Sequence, residues 1–251
     1  LETPLIGSIS FIHFQIGRMG VVLYLPSIAL NIVTGIDIFV CITTVGLLSL
    51  LYTIMGGVEA VIWTDALQVI ILLGGATLSL ILISLSVEGG IIGIIQTGTA
   101  NNKFNIIDLE FSLKQPTIWV MLLAGIFTNI TTYGTDQAIV QRYLTTKNID
   151  EEKKTLWINA VMTIPATLIF FFLGTALFVF YKENPASLSF TISEADAIFP
   201  WYIFNELPAG IIGLLISAIY AASMSSLSSR INSVATDNVD DIHSPLLIKK
   251  K

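Results

Sequence analysis

Six apolar stretches, each long enough to cross the hydrocarbon core of a bilayer, constrain this chain more than any other feature. A spanning helix needs about 20 mostly apolar residues. Residues 9–33, 36–55, 62–87, 118–144, 156–181 and 209–235 meet that requirement and are designated spans A to F. Turn chemistry separates them: "TG" at 34–35, "GG" at 56–57 and again at 89–90, "KQP" before D, "KENPAS" after E and "ELPAG" before F. A membrane β-barrel would instead show alternating segments of about ten residues. Composition agrees, because 54% of the residues are hydrophobic and 12% are charged, where soluble domains carry about 25% charge. Mean hydropathy is +0.81. The expected fold class is an all-α membrane protein, with residues 1–251 forming a single transmembrane domain of six helices.

Several function classes drop out at once. The single cysteine, Cys41, lies inside an apolar run, so neither a disulfide framework nor a cysteine metal site can form within the chain. The formal net charge of −6 comes without a long basic block, which argues against a nucleic-acid partner. An enzyme is not expected: HExxH and GxSxG are absent, and His13 and His243 lie near opposite termini. The chain lacks an initiator Met, and "LETPL" has none of the regions of a signal peptide, so an internal piece of a longer protein is expected.

Lys and Arg set the orientation, since short loops rich in them stay cytoplasmic. The D–E loop holds Arg142, Lys147, Lys153 and Lys154, whereas the E–F loop holds Lys182 among Glu183, Glu194, Asp196 and Glu206. D–E is therefore inside and E–F outside. F then ends inside, in agreement with Arg230 and the terminal Lys249, Lys250 and Lys251. Span A runs outward, and the C–D loop with Lys103 and Lys114 is external. Such a chain is a multi-pass protein of the plasma or inner membrane, with the lipid bilayer as its first partner.

Polar groups at membrane depth are costly and mark function by default. In span F, "AASMSSLSSRINS" at 221–233 places Ala222, Ser225, Ser226, Ser229 and Ser233 on one stripe, with Ser228 and Asn232 at its edge. Two readings fit. Small residues favour close helix packing, and serines bond back to their own helix carbonyls. Alternatively, hydroxyls and carbonyls supply the oxygens that a hard cation such as Na⁺ requires. Asp65 in span C lies at matching depth, although "TDALQ" also resembles a helix start capped by a carboxylate. Span D carries "TNITTYGTDQ", which suits either a discontinuous helix or a polar helix end. Arg18 in span A is too deep for a routine interface charge, and its planar fork suits a carboxylate. That carboxylate is a substrate's, or Asp65's, or one from helices outside this chain.

Three stretches resemble the sodium:solute symporter family: "YTIMGGVEAVIWTDALQ" at 52–68, "YGTDQAIVQRYLTTK" at 133–147 and "AASMSSLSSRINSVATD" at 221–237. The resemblance implies a partial leucine-transporter-like inverted-repeat bundle in which A to F correspond to core helices three to eight. The first, second, ninth and tenth core helices would then be missing partners of this chain. It further implies sodium-coupled symport of a small organic solute, with Na⁺ as the coupling ion. By the same resemblance, Ala222 (through its carbonyl), Ser225 and Ser226 match the principal sodium site, and Asp65, Ser228 and Ser229 an additional one. Asn129, Thr132 and Tyr133 fall where the sixth core helix lines the substrate cavity, and Arg18 where members similar to sialic acid transporters bind the substrate carboxylate. A gating tyrosine of sugar carriers is Thr132 here, which argues against glucose. The expected solute is an acidic sugar such as sialic acid. The alternatives are a symporter for a neutral sugar, amino acid or vitamin, and a non-transporting sensor of the same fold.

Overall fold

A computed structural model describes residues 2–55, 58–105, 108–112, 115, 117–136, 139, 148–188 and 195–243. The turn at 56–57, Lys114, the stretch holding Gln141, Arg142 and Lys147, Glu194 and Lys249 to Lys251 lie outside them. Eight α-helices follow in chain order among the described residues: α1 Glu2–Thr34, α2 Ile38–Met55, α3 Val58–Ser86, α4 Gly90–Ala100, α5 Ile118–Thr135, α6 Ile149–Glu183, α7 Ile198–Glu206 and α8 Ala209–Asp237. A π-helical stretch, Asn238–His243, continues α8. The chain is all-helical among the described residues, as expected.

Helix ends fall where backbone chemistry dictates. Gly35 takes a left-handed φ of 69° after α1, its N–H bonds to the Asn31 carbonyl at 2.7 Å, and the chain turns into α2. Gly89 and Gly90 do the same after α3, with φ of 75° and 60°. Asn148 caps α6 by accepting the Glu151 N–H, and Asp150, Glu151 and Glu152 occupy its positive end. That cap starts α6 seven residues before the expected span E. Pro208 precedes α8, where a missing N–H costs nothing.

Among the described residues, five helical segments are long and apolar enough to cross a membrane: Gly7–Ile32, Ile38–Met55, Asp65–Ser86, Ile149–Glu183 and Ala209–Asp237. Span D, taken over 118–144, suits either a discontinuous helix or a polar helix end. Its helix ends at Thr135, and Asp136 is extended at φ −70° and ψ 111°. The β-branched Thr131, Thr132 and Thr135 and the adjacent Gly134 are weak helix formers, which allows the chain to leave the helix there. Two short helices, α4 and α7, occupy loops that the span pattern leaves without structure.

The contacts divide the chain into two compact units, Leu1–Gly75 with Ser189–Lys251, and Ala76–Leu188. In the first unit α1 and α2 both pack on α8, and α7 packs on α1 and α8. Ala29, Cys41, Val45, Leu215, Ala218 and Leu227 are buried there, small and branched side chains that let helices approach closely where lipid supplies no hydrophobic drive. A Cβ on Gly75 would collide with the Leu215 side chain, so α3 and α8 touch nearly backbone to side chain. Tyr202 of α7 is buried, and that burial, followed by the Glu206 carboxylate, pushes its phenol up to about 12. In the second unit α4 lies on α6. Gly98 makes room for Phe104, which stacks on Phe172 with centroids 6.2 Å apart.

Candidate functional site

The serine-rich turn of α8 sits roughly 25 Å along the helix from Pro208, at 1.5 Å per residue. Its serines divide by what they touch. Ser223 donates to the Ile219 carbonyl at 2.8 Å and Ser233 to the Ser229 carbonyl at 2.9 Å, so both are used on their own helix. Ser225 differs. It is 2% exposed, and its Oγ donates to Oδ1 of Asp65 on α3. Helix α3 begins at Val58, which places Asp65 about two turns inside it and removes the helix-cap reading.

The turn therefore gathers oxygen donors. Ser228 is buried beside Ser225, and Ser229 is half-buried on the next position. Ser226 is exposed and, with Ala222, lines an open pocket of about 440 Å³. Val22 and Pro26 of α1 and Asp196 of the segment before α7 line the same pocket. Pro26 has no N–H to give the Val22 carbonyl, so α1 is loosened beside the hydroxyls. Neighbouring Ser225 and Ser226 thus point two ways, one to the carboxylate and one to the pocket. A carboxylate, hydroxyls and helix carbonyls are hard donors that fit Na⁺ and give nothing to a soft metal. Among the described residues no three His, Cys, Asp or Glu side chains cluster in a way that would hold another metal.

Arg18 is half-buried one turn before Val22, and its Cζ lies 5.3 Å from the centroid of the Phe14 ring. A guanidinium over an aromatic face is a favourable resting place. Three residues earlier, Gln15 is fully buried, and its Oε1 accepts a hydrogen bond from Nη1 of Arg230 at 2.8 Å. Neither partner is singled out by the sequence pattern. Gln15 reads as one polar residue in an apolar run, and Arg230 as an inner-interface charge. Their only signal is placement: each sits within one helical turn of a candidate site residue.

The α5 set lies in the second unit and is arranged differently. Asn129 is exposed, and its amide donates back to the Gly125 carbonyl at 2.7 Å. Thr131 likewise donates to the Phe127 carbonyl at 3.0 Å. Thr132 is half-buried, and Tyr133, 38% exposed, accepts at its hydroxyl from the Asn159 amide of α6 at 3.1 Å. Asp136, at the end of α5, is 7% exposed.

Comparison with known proteins bears on this arrangement. The pattern that defines the Sodium:solute symporter family matches residues 4–251. The sodium/sialic acid symporter of Proteus mirabilis is 41% identical over 247 residues, which cover 98% of this chain and 50% of that protein. The sodium/sialic acid symporter of Aliivibrio fischeri is 38% identical over 240 residues, covering 95% and 47%. A solved structure described as the substrate-bound outward-open state of a Na⁺-coupled sialic acid symporter superposes with a TM-score of 0.87 at 39% identity, covering 98% of this chain and 52% of that one. The chain spans about half the length of the relatives it matches.

Proposed function

The chain belongs to the sodium:solute symporter family, and from that premise we propose that the full-length protein couples inward sodium flow to uptake of a small organic acid, sialic acid being the first to test. The observation that carries this reading is the bond from buried Ser225 to Asp65, set in a turn of hydroxyls beside the pocket. A half-buried carboxylate at membrane depth is costly unless something neutral or positive shares it. A hydroxyl donor satisfies it until an ion arrives, and the hydroxyl can then rotate its proton away and offer a lone pair.

In this reading Ala222, Ser225 and Ser226 hold one sodium, and Asp65, Ser228 and Ser229 hold a second. Since Ser225 is the residue bonded to Asp65, the two ions would share that turn and sense each other. The Arg18 guanidinium takes the substrate carboxylate through two parallel hydrogen bonds, and the family resemblance gives Asn129, Thr132 and Tyr133 as substrate-binding residues. Sodium binding favours one state of the transporter over another by its differential affinity, which is the only way a ligand shifts such an equilibrium. No covalent step is involved, so the protein is read as a transporter of the plasma or inner membrane and not as an enzyme.

Uptake of radiolabelled sialic acid into proteoliposomes containing the full-length protein, with and without an inward sodium gradient, tests the reading. Uptake that follows the gradient, and that falls at least tenfold in Arg18→Lys while sodium still binds, is the expected result. Gradient-driven transport of only neutral solutes would remove the acid assignment and Arg18 with it.

A further inference from the structure

The buried pair Gln15 and Arg230 joins α1 to α8 at a telling place. Gln15 is fully buried and lies three residues, less than one turn, before Arg18. Arg230 is half-buried, follows Ser229 directly and stands four residues after Ser226, on the same helix face. A hydrogen bond of 2.8 Å, from Arg230 Nη1 to Gln15 Oε1, links residues 215 apart in sequence.

An arginine here is a hazard to a sodium site. Its side chain is long and flexible, and its charge is permanent. Swung back along α8, it reaches over the turn that holds Ser226 and Ser229, where a fixed cation competes with Na⁺ for the same oxygens. Low dielectric inside the bundle makes that repulsion long in reach. The amide of Gln15 removes the hazard by geometry, since its carbonyl holds the guanidinium toward α1.

We propose that Gln15 is a positioning residue for sodium binding: its buried carbonyl anchors the Arg230 guanidinium to α1 and keeps that positive charge off the hydroxyl turn of α8. The inference rests on the sodium reading of that turn given above. It assigns Arg230 the role of a tethered competitor, with the Gln15 carbonyl as a tether on α1.

The experiment is sodium titration of the purified full-length protein, read by thermal stabilisation at constant ionic strength with N-methylglucamine as the replacement cation. Gln15→Leu should raise the sodium concentration for half-maximal stabilisation about tenfold, a change of ~1.4 kcal/mol. Gln15→Glu, which keeps an acceptor, should stay near wild type. The double variant Gln15→Leu with Arg230→Met should recover wild-type sodium affinity, because the competitor is gone. A purely structural tie predicts the reverse, with the double variant at least as impaired as the single one, and that result overturns the proposal. Should Gln15→Leu fail to fold, Arg230→Met alone decides: sodium affinity equal to or above wild type supports the proposal, and a weaker one overturns it. A wild type that shows no sodium-specific stabilisation removes the underlying sodium reading and this inference together, whereas an unchanged Gln15→Leu beside a responsive wild type removes only this inference.

Discussion

Helices α5 and α8 both carry a run of hydroxyls and an asparagine in an otherwise apolar sequence, yet they use them differently. On α5, Asn129 and Thr131 bond back to carbonyls four residues earlier, and both are exposed. On α8, Ser223 and Ser233 do the same, but Ser225 is buried and reaches a carboxylate on another helix. Composition is therefore a poor guide to a site. What makes one is a second helix delivering a complementary group at the same height, and within the first unit α3 does this because Gly75 lets it approach Leu215.

The sharpest way to break the contrast is to separate α3 from α8. Gly75→Leu would drive its side chain into Leu215, an overpacking that costs about 1–3 kcal/mol, and should abolish the rise in melting temperature on adding sodium. Its counterpart in the other unit is Gly98→Leu, where a Cβ alone would come within 2.6 Å of Phe104 and 2.9 Å of Thr175. That variant should lose comparable stability yet keep its sodium response. A sodium response surviving in the Gly75 variant would show that the α3–α8 contact does not build the site.

Next in size is Asp65→Asn, which keeps an oxygen for Ser225 but removes the charge. Melting without sodium should shift little, while the sodium concentration for half-maximal uptake rises by about tenfold or more, in line with the ~1.5–3 kcal/mol of a charged contact. The Hill slope for sodium should fall as well. If slope and half-saturation both match wild type, Asp65 is only a tie between helices. Ser226→Ala should act more mildly, because Ser226 is exposed to the pocket and replaceable by water. A few-fold weaker sodium dependence with normal membrane insertion, about 1 kcal/mol for one lost oxygen, is the expected reading in a transport assay. Smallest of all is Asn129→Ala on stability, within about 0.5 kcal/mol, since its amide is satisfied on its own helix. Sodium half-saturation should stay unchanged while affinity for the solute drops, and a shift in sodium dependence alone would remove Asn129 from solute binding.

Much of the fold was legible because bilayer spans are written in local composition. Span F over 209–235 became α8 at Ala209–Asp237, with Pro208 as the start signal. The glycine turns after α1 and α3 were equally plain, since only glycine adopts their φ without strain. Span D carried two signals, an apolar count that continues to 144 and a polar stretch suited to a discontinuous helix or a helix end, and among the described residues α5 ends at Thr135 with Asp136 extended. Its weak helix formers were visible, but whether they break a helix depends on tertiary partners that no local pattern contains. Helix α6 begins before the apolar run of span E because Asn148 caps the polar "IDEEKK" turn, which carries no apolar signal.

The sequence by itself determined that this chain lies in a membrane as a set of long helices, that α8 carries a dense hydroxyl turn, and that Asp65 stands at a similar depth. These follow from hydropathy and rise per residue, which are properties of single segments. Only the tertiary structure decided which serine meets Asp65, that Ser226 faces a pocket while its neighbour Ser225 does not, and that Arg230 is turned onto Gln15. Rotation of one helix about its axis against another is fixed by packing between residues far apart in the chain. In span F a rotation of 100° per residue separates a buried ligand from an exposed one, so identity and depth alone leave the choice among adjacent serines open until the helices are packed.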